Sequence, residues 1–169
     1  MNDGTLSTIS GRPALRFERV LAHSVERVWR AVSVPAELEQ WFPAAADWTP
    51  AAGEVIEAGG MTGEVTEVEP PHRLAWTFAG DEYTFELSEH DEGCRLVFTH
   101  VFDDRNAAAQ TAAGWESYLA RLEPHLAGGH LPEMEAHAAW GEVHEGYAER
   151  FGVDPDPGRH FLAQLRAGS

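Results

Sequence analysis

Between Trp48 and Asp103 the chain alternates apolar and polar residues with a period of two, and turn signals interrupt the alternation at short intervals. The signals are Pro50 to Gly53, Gly59-Gly60, Pro70-Pro71, Gly80-Asp81 and Asp91-Glu92-Gly93. They separate five strand-like runs: Glu54–Ala58, Met61–Glu69, Arg73–Ala79, Tyr83–His90 and Cys94–Phe102. A parallel crossover needs about a dozen residues or more, so connections this short dictate an antiparallel meander. One face of that meander is bulky: Leu74, Trp76 and Phe78, then Tyr83, Phe85 and Leu87, then Leu96, Phe98, His100 and Phe102. The other carries Arg73, Thr77, Thr84, Glu86, Ser88, Arg95 and Thr99. A sheet with one apolar face needs a cover.

The cover follows in sequence. Ala108, Ala112, Trp115, Leu119, Leu122 and Leu126 recur at helical spacing, and Pro124 with Gly128-Gly129 marks the end of that long helix. Ahead of the meander, Ala14 to Leu21 alternates as a first strand. Two short helices come next. Ser24 caps the first, whose apolar face is Val25, Val28, Trp29 and Val32; Pro35 opens the second, with Leu38, Trp41 and Phe42 on its face and Pro43 as its stop. Residues 1–13 are polar and read as a flexible tail, 14–129 as one α+β domain, and 130–169 as a helical extension. The extension contains an amphipathic helix from Pro132 carrying Met134, Trp140, Val143, Tyr147 and Phe151, broken at Asp154 to Gly158, with a last short helix expected after the break.

Charge narrows the function classes. The formal net charge is −16, and all twelve basic residues are Arg. Such a chain repels phosphates and anionic headgroups, which sets aside nucleic acid and membrane surfaces as partners. The start lacks the basic and apolar regions of a signal peptide, no apolar run approaches a membrane span, and a cytoplasmic location is expected. The single cysteine, Cys94, reads as a small buried hydrophobe.

The segment Val20–Phe42, VLAHSVERVWRAVSVPAELEQWF, resembles the opening of the SRPBCC, or START-like, superfamily. It is most similar to the branch named after the activator of the heat-shock-protein-90 ATPase, through Val28-Trp29-Arg30-Ala31, Pro35 and Trp41-Phe42. Glu67 to Leu74, Arg95 to His100 and Gly114-Trp115 continue the likeness over residues 14 to 127. Ala51-Ala52-Gly53-Glu54 departs from the glycine pair common in that branch. The resemblance implies a helix-grip fold: a curved antiparallel sheet wrapped around a long C-terminal helix, with a hydrophobic cavity between. Members bind lipids, polyketides or other apolar molecules. A minority are cyclases, and some similar proteins in actinomycete toxin clusters protect the host by binding the toxin.

Large rings facing an alanine-rich helix are expected to leave room for an apolar guest, although the alternative is a helix that approaches closer and packs solid. The expected lining is Trp41, Phe42, Trp76, Phe78, Tyr83, Phe85, Phe98, His100, Ala108, Ala112 and Trp115. His100 is the one titratable group on the inward face of the last strand: a histidine satisfied by a neighbour, a ligand contact, or a general acid/base. The cyclase alternative would need His100, Tyr83 or Glu116 to converge. A co-chaperone role rests on the family name and the acidic surface alone. On a continuous helix Glu133, His137 and His144 would share a face, which hints at metal, but a solvated acidic face is the preferred reading. There is no HExxH, GxSxG, P-loop or dinucleotide fingerprint, and no cofactor or metal is expected. A non-catalytic binder of a small hydrophobic molecule is the favoured function.

Overall fold

The computed structural model describes residues 4–42, 52–58 and 60–168. Pro43, Trp48 and Ala51, assigned above to the stop of the second helix and the start of the meander, lie outside them. Seven antiparallel strands form one sheet in the order β1-β2-β7-β6-β5-β4-β3. The meander is β3 (Val55–Ala58), β4 (Met61–Glu69), β5 (Arg73–Phe78), β6 (Asp81–His90) and β7 (Gly93–Val101), and β2 (Arg12–Leu21) returns to pair with β7. The register of β4 against β5 shifts between Val65 and Glu67, a bulge that adds bend to the strand. At Gly63 the two strands come so close that a Cβ would lie 1.9 Å from the Thr77 carbonyl oxygen.

The tail expected over residues 1–13 is in part a strand. Thr5–Ile9 form β1, paired with β2 from Thr5↔Arg16 to Ile9↔Arg12. Ser10 and Gly11 both have positive φ (51° and 79°), the backbone of a tight hairpin whose twist matches the flanking strands.

Helices α1 (Val25–Ser33) and α2 (Pro35–Trp41) sit between β2 and β3. Ser24 accepts from the Arg27 N–H at 3.1 Å, and Pro35 occupies the first turn of α2, where its missing N–H costs nothing. After a 3-10 turn, Arg105–Ala107, the long helix α3 runs from Ala108 to Leu126. It passes through Pro124 for one further half-turn and then stops. Gly128, at φ +84°, donates to His125 O, and Gly129 donates to Pro124 O at 2.8 Å, closing the helix with a left-handed cap.

The extension folds onto α3. Its expected amphipathic helix is two, α4 (Glu133–Ala136) and α5 (Trp140–Phe151), and the last helix expected after the break is α6 (Asp156–Ala167). Tyr147, Ala148, Phe151 and Val153 join the same hydrophobic core as the sheet and α3. Among the described residues no helix is long and apolar enough to cross a membrane.

Candidate functional site

The antiparallel register turns the bulky face of the sheet into two rows. Leu15, His100, Tyr83, Trp76 and Val65 are successive cross-strand neighbours in one; Phe17, Phe98, Phe85, Leu74 and Val68 in the other. Directly opposed aromatic residues in such rows touch ring to ring. Tyr83 stacks on His100 with centroids 4.4 Å apart and on Trp76 at 5.2 Å, and Phe85 meets Phe98 at 4.9 Å. Burial of a ring such as Phe85 or Phe98 contributes about 1.5–3 kcal/mol, which anchors the sheet's centre.

Two residues close over these rows. Trp115 of α3 packs on Phe98 (4.6 Å), and Phe42, just past α2, packs on Trp115 (5.4 Å), Trp76 and Phe85 (both 6.1 Å). Trp41 lies deeper; its indole N–H donates to Ala31 O at 2.8 Å.

The eleven residues expected to line a site therefore divide. Trp41, Phe85, Phe98, Ala108 and Ala112 have no exposed surface, so no water-sized space borders them. The opening expected beside the two alanines is closed, because Trp115 from the same helix lies across the rows and its neighbours pack solid. Trp76, His100 and Trp115 retain a small exposed fraction, and Phe42, Phe78 and Tyr83 are half-buried. These six form the accessible rim of the aromatic cluster.

His100 is held from both sides. The Trp115 indole N–H donates to Nδ1 at 3.0 Å, and Nε2 lies 2.8 Å from an Asp81 carboxylate oxygen. Since Nδ1 accepts, the proton of the neutral ring sits on Nε2 and is donated to Asp81. Burial lowers the histidine from its ordinary 6.5, against the opposing pull of Asp81. The Tyr83 hydroxyl is pushed up to about 12 by burial and by the Asp81 charge, and has no hydrogen-bond partner among the described residues. In the sequence Asp81 carries only a turn signal, in Gly80-Asp81. Its place two residues before Tyr83, on the same face of β6, was the available signal.

Other chemistry named from the sequence disperses. Glu116 faces Arg19 (3.0 Å) and the Tyr147 hydroxyl rather than His100. Cys94 is buried and its thiol is pushed up to about 11, chiefly by burial. The break between α4 and α5 separates His144, stacked on Trp140 at 5.1 Å, from Glu133 and His137; no group of three metal-type side chains occurs among the described residues. In the sequence Arg121 is a single charge inside an apolar stripe, with no local pattern that marks a role. Buried, it donates to Leu131 O (2.9 Å) and Gln40 O (3.0 Å) and lies 3.5 Å from Trp41 O. It thus fixes the end of α2 from which Phe42 projects.

Known structures repeat this architecture. CalU16 from Micromonospora echinospora superimposes with a TM-score of 0.71 at 24% identity, over 89% of this chain and 98% of that one. MLL2253 from Mesorhizobium loti gives 0.61 at 28% identity, over 70% and 99%. DynU16, described as a putative protein in the dynemicin biosynthetic locus, gives 0.58 at 27%, over 69% of this chain and 48% of that one. No curated protein matches the chain in sequence. The family described as activator of Hsp90 ATPase homolog 1-like protein matches residues 22–127, from the turn before α1 to the end of α3, and the chain belongs to it.

Proposed function

We propose that this chain binds a small hydrophobic molecule at the aromatic rim between the sheet and α3, as a carrier or sequestering protein. The observation that carries the reading is the rim itself. Phe42, Phe78 and Tyr83 stay half-buried against a fully buried aromatic base, and Tyr83 presents a hydroxyl without a partner among the described residues. Apolar walls with one or two placed polar groups are the usual design of a small-molecule site. Behind the accessible residues, Trp41, Phe85 and Phe98 form a buried wall on which Phe42, Trp76 and Trp115 pack, and Ala108 and Ala112 are buried on α3. The likeness to DynU16 favours a natural product as ligand, and with it protection against a toxic metabolite.

The cyclase-like alternative requires a group free to exchange a proton with substrate. His100 has both ring nitrogens engaged, by Trp115 and Asp81, and this favours binding over catalysis. For a co-chaperone-like role only the family name and the negative charge speak.

Saturation-transfer NMR against a library of neutral polycyclic, polyketide and fatty-acid compounds tests the proposal. Binders are expected among the rigid apolar classes, with loss of signal in Phe42→Ala and Tyr83→Ala. Absence of binders in every class, or binding untouched by both substitutions, would overturn it.

A further inference from the structure

A second concave surface lies on another face of α3, away from the aromatic rows. Gln110, Thr111, Gly114 and Tyr118 share that face, and α4, α5 and α6 wall it in. The cleft measures about 910 Å³, within the range of about 300–1,000 Å³ common for small-molecule sites. Most of its walls come from residues 133–166, beyond the segment that the family shares.

Three features give it a chemistry. The first is apolar: Trp140 and Phe161 meet at 5.6 Å, and Met134, Phe161 and Leu165 are exposed around the opening.

The second is Gly114. A glycine in the middle of a helix costs about 1 kcal/mol relative to alanine. A Cβ there would meet nothing within 4 Å, so packing does not require the glycine. Its effect is to deepen the floor of the cleft.

The third is Glu133. Tyr118 donates to its carboxylate at 2.5 Å and His137 Nε2 lies 3.6 Å away, but no arginine pairs with it among the described residues. Its one ion-pair contact among them is a histidine, charged only when protonated, and Arg121 acts on it from a distance without bonding it. A carboxylate with no arginine bonded to it, beside aromatic rings in a protein of net charge −16, favours a cation. Arg166 lines the cleft as well, so the charged end of a ligand belongs with Glu133 and its apolar body over Gly114, Trp140 and Phe161. We infer that this cleft is a second ligand site, for a hydrophobic molecule bearing one amine.

The test uses the full chain and three probes with one ring system: 1-naphthylmethylamine, the neutral 1-naphthylmethanol and the anionic 1-naphthoate. Calorimetry at low ionic strength gives affinities, and amide NMR shifts give location. The amine is expected to bind at least tenfold tighter than the anion and to shift the amides of Gly114 and Gly141. Glu133→Gln should remove the preference for the amine. Gly114→Leu should weaken binding at least tenfold while thermal stability is kept or raised, and Phe42→Ala should leave this binding as it was. Equal affinity for amine and anion, wild-type affinity in Gly114→Leu, or shifts confined to Phe42 and Tyr83 would each overturn the assignment. So would a dimer in sedimentation that Phe161→Ser dissociates, since the cleft would then hold a second copy of the chain.

Discussion

The indole N–H of Trp115 donates to Nδ1 of His100 at 3.0 Å, and that bond exists only while the imidazole is neutral. A protonated ring carries a hydrogen on both nitrogens, so taking up a proton sets two donors against each other. Asp81 would gain an ion pair at Nε2, yet burial dominates and the folded histidine titrates below its ordinary 6.5. The direction of the pH effect follows. The unfolded chain takes up the proton first, so the stability that neutral His100 contributes is complete above the unfolded value, declines as pH falls below it, and is gone once pH has dropped through the folded value. Thermal unfolding at about pH 7.5 and about pH 5.5 checks this against His100→Gln, whose amide can serve both partners without titrating. The wild type is expected to lose more stability across the interval than the variant. His144, also lowered by burial, is present in both and cancels.

The same bond sets the cost of altering its donor. Trp115→Phe keeps an aromatic ring over Phe98 but leaves Nδ1 of a buried histidine without a partner. An unsatisfied buried acceptor costs about 1–3 kcal/mol. Urea denaturation should show a loss of that size, together with a rise in the His100 titration point seen by NMR, because the neutral form has lost its donor. A variant of unchanged stability would mean that a water or a shifted side chain replaces the indole.

These relationships mark where sequence reading ended. The meander, the inward aromatic residues and the α3 stripe were legible because period two and helical spacing report which face a side chain takes. Position on a face does not report depth. Phe42 and Trp41 are sequence neighbours, yet one stands at the rim and the other has no exposed surface. The alanines of α3 suggested space, but Trp115, one turn on, closes the seam they face. Strand β1 is hidden in the sequence because three of its five residues are Ser or Thr and four are exposed at the sheet edge, although Ser10-Gly11 ahead of the alternating run of β2 is itself a hairpin signal. The break between α4 and α5 has no Gly or Pro to announce it. The polar partners, Asp81 to His100 and Arg121 to Gln40, depend on long-range register and helix packing that no local pattern encodes.

Arg121 joins stability to the candidate site. Its guanidinium is buried and bonded to main-chain carbonyls of α2 and of the segment after α3. Arg121→Met preserves much of the stem's packing but removes the donors; hydrogen bonds from a charged group contribute about 1.5–3 kcal/mol. A loss of about 2–3 kcal/mol in urea is expected on that scale, with weaker binding of any ligand that depends on Phe42, because the residue preceding it has lost its anchor. Full stability in Arg121→Met would show that α2 is held without these bonds, by its apolar face, the Trp41 indole and the pairs of Glu37 with Arg27 and His125.

Tyr147 ties the N-terminal strand to the helical extension. Its hydroxyl donates to Glu116 and accepts the Gly4 N–H at 2.9 Å, while Arg150 reaches Gly4 O at 3.2 Å. β1 is an edge strand paired only with β2, so this contact is what fastens its leading end to α5. Tyr147→Phe leaves a buried carboxylate and a main-chain N–H short of one partner, at a cost of about 1–3 kcal/mol. The loss should not be uniform. Amides of β1 that bond to β2 are expected to exchange hydrogen faster, while those between β6 and β7 slow or speed only with global stability. Uniform protection across the sheet in the variant would show that β1 is secured by its hairpin and does not need the helix behind it.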